Sequence, residues 1–120
     1  MGARVIAVVD DEPSVRSATA SLLRSMGYAC VTFGGARDLV ETTFQGLDCV
    51  CSDIQMPGMS GMDLAEHCAS HPGAPPLLLM TAYYDEHVAS ACRKLGVCAV
   101  LEKPLDADLL MEAIERALLA

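Results

Sequence analysis

Five short apolar runs, each closed by a polar or turn residue and followed by a stretch with helical spacing, constrain this chain more than any other feature. Val5 to Val9 runs into Asp10-Asp11, and Cys30 to Phe33 precedes a Gly pair. Asp48 to Ser52 ends at Asp53, Leu77 to Met80 ends at Thr81, and Val97 to Leu101 stops just before Lys103-Pro104. An apolar run of four or five residues between turn signals fits a strand covered on both faces. Strands that alternate with helices join through crossovers, which place helices on both sides of a parallel sheet. The expectation is an α/β fold, a doubly wound five-stranded parallel sheet, in a single domain over residues 1–120.

The helical stretches carry their own punctuation. Pro13 suits a first helical turn, where its missing N–H costs nothing. Val15, Ala18, Leu22 and Met26 follow at helical spacing and predict the buried stripe, with Gly27 as the stop. A second helix is expected from Ala36 to Gln45, ended by Gly46. Ser60 and Asp63 predict a capping box. A fourth helix runs to Leu95 and stops at Gly96. Asp106 predicts the N-cap of the last helix, with Leu105 and Leu110 as its staple. The apolar residues of that helix, from Leu109 to Leu119, form a stripe wider than one core contact needs, and core and partner surface both remain open for it.

Charge and composition exclude some functions. The net charge is −8, which disfavours nucleic-acid backbones and anionic membranes as partners of this domain. No apolar run is long enough to cross a bilayer. Only 4% of residues are aromatic, so aliphatic and Met side chains must fill the core. The six cysteines show no C-x-x-C spacing, and they read as small apolar residues in a reducing cytoplasm. Cys49 and Cys51 should share a sheet face. His67, His71 and His87 read as helix-surface or helix-end residues.

In open α/β sheets, ligands bind beyond the carboxyl ends of the strands. Asp10, Asp11, Asp53, Thr81 and Lys103 all fall at those ends. Three carboxylates on one edge cannot all stay ionised without compensation. A hard divalent cation is one remedy and Lys103 is another. Mg²⁺ takes oxygen ligands and keeps several waters, so a site with two or three carboxylates matches it. Such a site could neutralise an incoming phosphoryl group while one carboxylate attacks it, with Lys103 and the Thr81 hydroxyl stabilising the charge. Taken singly, each residue is ordinary. An Asp-Asp pair is most often a turn, an Asp after a strand a helix cap, and a Lys before Pro a solvated surface group. Their shared edge is what carries the reading.

These residues resemble the response-regulator receiver family of two-component signalling. The resemblance rests on Val8-Val9-Asp10-Asp11, on Asp53-Ile54-Gln55-Met56-Pro57-Gly58-Met59-Ser60-Gly61, on Thr81-Ala82 and on Lys103-Pro104, and it covers essentially the whole chain. It implies a strand order of 2-1-3-4-5 and Asp53 as phosphoacceptor. It further implies Mg²⁺ held by Asp11, Asp53 and the main-chain carbonyl of Gln55, with Asp10 acting through water. Lys103 and Thr81 would contact the phosphoryl group. The partner would be a sensor histidine kinase or a histidine phosphotransfer protein, the location cytoplasmic, and a phosphorylation-dependent dimer is among the expected assemblies. The changed surface would be that of helix 4, strand 5 and helix 5. Met59-Ser60-Gly61 and Glu112 to Ala117 are similar to FixJ-like regulators, and the chain is expected to be a lone receiver, a fragment of a transcription factor or the receiver of a hybrid kinase. One position departs: Val100 stands where the family has an aromatic switch, and Val has few rotamers to toggle. The turn at Lys103–Pro104 predicts a cis peptide.

Three rivals belong to other classes. Haloacid-dehalogenase-like phosphatases also combine Asp, Thr or Ser, Lys and Mg²⁺, but their nucleophile follows the first strand and opens an Asp-x-Asp motif, whereas Asp53-Ile54-Gln55 has no second Asp. A phosphate-independent receiver-like binding module would have no need of the full set of residues present here. A flavodoxin would need a phosphate-cradling loop after the first strand, and none is found. The expectation is therefore a signalling domain and not an enzyme with turnover, beyond its own phosphorylation and dephosphorylation.

Overall fold

The structure, a computed structural model, describes residues 2–119. Its elements alternate strictly: β1 (Val5–Val9), α1 (Pro13–Ser25), β2 (Ala29–Phe33), α2 (Ala36–Glu41), β3 (Cys49–Asp53), α3 (Gly61–Ala69), β4 (Leu77–Thr81), α4 (Glu86–Lys94), β5 (Ala99–Glu102) and α5 (Ala107–Leu119). One five-stranded sheet has the order β2-β1-β3-β4-β5, and every pairing is parallel. The order reverses once, at β1, so the carboxyl ends of β1 and β3 lie side by side and a crevice opens there.

The strands bury both faces, which is why they read as unbroken apolar runs. Ala7, Val9, Val50 and Leu79 meet α2, α3 and α4 on one face. Ile6, Val8, Cys49, Cys51, Leu78 and Met80 meet α1 and α5 on the other. β3 and β4 are buried along their whole length, whereas the edge strand β2 is largely exposed. Cys49 and Cys51 do share a face, and the cysteines are free thiols. Burial pushes the Cys68 thiol up to about 11, which favours the protonated form at neutral pH. Among the described residues no helix is long and apolar enough to cross a membrane.

Helix ends follow the expected chemistry. Ser60 and Asp63 form a reciprocal capping box, and the Asp106 carboxylate accepts from the N–H groups of Asp108 and Leu109. Gly27 and Gly96 take positive φ just past α1 and α4. The Lys103–Pro104 peptide is cis, as the turn predicts.

Two expectations need correction. The inward stripe of α1 is Thr19, Ala20 and Leu23, while Ala18 is exposed and Val15, Leu22 and Met26 are half-buried. α1 carries apolar residues around much of its circumference, so two stripes fit the helical period and packing against the sheet selects one. The second helix stops at Glu41 and does not reach Gln45. The Thr42 hydroxyl donates to the Leu39 carbonyl and accepts the Phe44 N–H, so a side chain takes over the backbone's partners. Thr43 and Phe44 then adopt positive φ, and Phe44 turns inward to 5% exposure beside the rings of His67 and His71. In the last helix Leu110, Ile114 and Ala117 face the core, while Leu109, Met111 and Leu119 face solvent.

Candidate functional site

The carboxyl ends of β1, β3 and β4 deliver Asp10, Asp53 and Thr81 to one crevice. Asp10 is 1% exposed, Thr81 2% and Asp53 8%, which is unusual burial for carboxylates. Asp11 follows on the loop and stays exposed. Asp10, Asp11 and Asp53 bring carboxylate oxygens within 4.8 Å of one another. Lys103, from the turn after β5, lies between two of them: its Nζ is 2.8 Å from Asp10 Oδ2 and 3.5 Å from Asp53 Oδ2. A main-chain bond from the Lys103 N–H to the Thr81 carbonyl fixes that turn to the end of β4.

Asp10 is held on every side. Its Oδ1 accepts the Glu12 N–H at 3.0 Å, its Oδ2 accepts Lys103, and its main-chain carbonyl accepts Arg16 Nη1 at 2.8 Å. Asp53 is less satisfied. Burial raises its carboxyl above the usual carboxylate range, the Lys103 ammonium opposes the rise, and the neighbouring Asp10 carboxylate adds to it. A group poised in this way gains from any further positive charge.

Behind Asp53 the backbone is tightly packed. A Cβ on Gly61 would lie 2.6 Å from the Asp53 carbonyl oxygen and 2.8 Å from Ile54 Cα, and only glycine fits that approach. The Gly61 N–H donates to the Ile54 carbonyl, tying α3 to the end of β3. Gln55 lies in the loop between them. Its exposed side chain accepts the Thr81 hydroxyl at 2.9 Å, and the same hydroxyl oxygen accepts the Tyr83 N–H at 3.0 Å. A cavity of about 300 Å³ opens over this group, with Asp11, Asp53, Gln55, Ala82, Tyr83 and Lys103 in its wall.

The structure thus brings together the side chains of Asp10, Asp11, Asp53, Thr81 and Lys103, with Gln55 beside them. Sequence reasoning missed Arg16 as the support of Asp10 and the Gln55 side chain as the partner of Thr81. No local pattern marks either contact, since Gln55 and Thr81 are 26 positions apart. Val100 is half-buried and packs with the core on the α4 side of the sheet, while Tyr83 is 77% exposed. The donor set fits a hard divalent cation: clustered carboxylate oxygens, one of them on a carboxyl whose charge the site disfavours.

The response regulator receiver domain model matches residues 6–115. The transcriptional regulatory protein FixJ of Bradyrhizobium diazoefficiens is 35% identical over 115 residues, covering 94% of this chain and 56% of that protein. The DNA-binding transcriptional regulator NtrC of Escherichia coli K12 is 34% identical over 115 residues, covering 95% of this chain and 24% of its own length. The chain therefore spans little more than half of one such relative and a quarter of the other. The crystal structure of FixJ-N superimposes with a TM-score of 0.86 at 28% identity, covering 98% of this chain and 94% of that one. Sheet order, the acidic crevice and the family match converge, and the chain belongs to the response regulator receiver domains.

Proposed function

We propose that Asp53 accepts a phosphoryl group from a phosphohistidine on a sensor histidine kinase or a histidine phosphotransfer protein. An Asp53 carboxylate oxygen attacks phosphorus, the P–N bond breaks, and its electron pair stays on the imidazole nitrogen. The observation that carries this is the buried Asp10–Lys103–Asp53 arrangement, which holds a carboxylate, whose charge burial disfavours, at the mouth of a crevice. Asp11, Asp53 and the main-chain carbonyl of Gln55 would hold Mg²⁺, with Asp10 reaching it through water, and the bound ion would supply positive charge against the phosphoryl oxygens. Lys103 takes one phosphoryl oxygen and the Thr81 hydroxyl takes another.

A protein donor is favoured over a small phosphate ester by what adjoins the site. An apolar groove of about 530 Å³, walled by Val15, Ala18, Leu22, Ala82, Pro104 and Leu105, runs from Lys103 along α1 and offers a partner helix a seat. The modified domain changes its α4, β5 and α5 surface and acts as one receiver unit, residues 1–120, of a cytoplasmic regulator, with dimerisation on that face as one output. Beryllofluoride with Mg²⁺ is expected to bind at Asp53, and Asp53→Asn to lose labelling by acetyl phosphate. Undiminished labelling of the variant overturns the assignment.

A further inference from the structure

We propose that the side chain of Gln55 is a positioning residue that holds Thr81 in its unmodified setting and sets how readily the domain switches. This rests on the phosphoryl-acceptor reading above. A hydroxyl has one proton to give. In the structure Thr81 gives it to Gln55 Oε1 at 2.9 Å, while its oxygen accepts the Tyr83 N–H. Both roles of the hydroxyl are filled, and Thr81 is buried, so Gln55 is the acceptor that its proton has among the described residues. A phosphoryl oxygen on Asp53 needs that same proton. The two acceptors compete, and Thr81 can serve only one.

The placement makes the competition consequential. Gln55 lies two residues beyond Asp53, on the loop that the capping box of α3 and the Gly61 contact anchor. Tyr83 lies on the loop before α4. The Thr81 hydroxyl therefore joins the acceptor's loop to the loop that leads into α4, whose N-cap Asp85 is two residues past Tyr83. When Thr81 turns to a phosphoryl oxygen, the Gln55 contact breaks and the Tyr83 N–H must follow its acceptor or lose it. Movement enters α4 through main-chain hydrogen bonding, with no need of a ring at Val100.

Titration of the whole chain with beryllofluoride and Mg²⁺ tests this in four forms: wild type, Gln55→Met, Thr81→Val and the double variant. Met keeps the length of Gln without a strong acceptor. Gln55→Met is expected to bind roughly two- to tenfold tighter, the range one neutral hydrogen bond supports. In the Thr81→Val background the same change is expected to do nothing. In the unliganded protein, NMR couplings of Thr81 are expected to show its χ1 populations shifted in Gln55→Met. Equal or weaker binding of Gln55→Met, or an equal gain in the Thr81→Val background, overturns the proposal. Failure of every form to bind overturns the acceptor reading instead, and unchanged Thr81 rotamer populations then overturn this one as well.

Discussion

The two halves of the crevice are built on opposite plans. On the β1 side, Asp10 is fixed by the Glu12 N–H, the Lys103 ammonium and, through its carbonyl, Arg16. On the β3–β4 side, Asp53 is left short of partners, and Thr81 is held by the exposed, flexible side chain of Gln55. The fixed half sets where charge sits. The other half is free to change, because turning the Thr81 side chain exchanges its hydrogen-bond partners. A receiver needs both: a charge geometry that does not depend on its state, and one group whose partner does.

The sharpest way to break the contrast is to unpair the fixed half. Lys103→Met leaves the Asp10 carboxylate buried with only the Glu12 N–H. A loss of about 3 kcal/mol is expected in urea denaturation without divalent ions, since removing one member of a buried pair strands the other. Millimolar Mg²⁺ is expected to restore part of it; a variant as stable as wild type would show that Asp10 is not held as described. Next comes the scaffold beneath the changeable half. Gly61→Ala forces a methyl against main-chain atoms of Asp53 and Ile54, which cannot rotate away. About 1–3 kcal/mol of destabilisation is expected, with weaker beryllofluoride binding.

The smallest effect has the opposite sign. The folded-state pKa of Asp53 is raised, so the folded protein binds the proton more tightly than the unfolded chain. Its share of stability is present below the ordinary carboxylate range and is lost as pH climbs through the raised value. In EDTA at neutral pH, Asp53→Asn is therefore expected to melt a few degrees higher than wild type. The gap is expected to close as pH falls through the acidic range; a gap independent of pH would place its origin elsewhere.

Much of this was legible because strands buried on both faces leave hard edges in a sequence. Asp53 and Thr81 stand where an apolar run stops, and a stop is visible without knowing what lies across the sheet. Helix faces are less legible. In α1, Val15-Ala18-Leu22 and Thr19-Ala20-Leu23 sit on adjacent faces, and the choice depends on the sheet beneath. The residues of the unchosen stripe line the groove beside Lys103, so the misread stripe was apolar for a different reason. The Gln55–Thr81 and Arg16–Asp10 contacts were illegible, because each depends on how far one loop stands from another element.

The single reversal in strand order also governs when the site comes into being. β1 is made first yet pairs with both β2 and β3, with Ile6 facing Cys30 on one side and Cys49 on the other. Asp10 and Asp53 can thus be drawn together once β3 has left the ribosome. Their counter-charge, Lys103, arrives only with the last part of the chain, after β4 and β5. Asp10 and Asp53 both precede Lys103 in the chain, so the ammonium that lies between them is the last side chain of the site to be made. Until that turn is made, a cation from the surrounding solution is the natural counter-charge of the half-formed crevice.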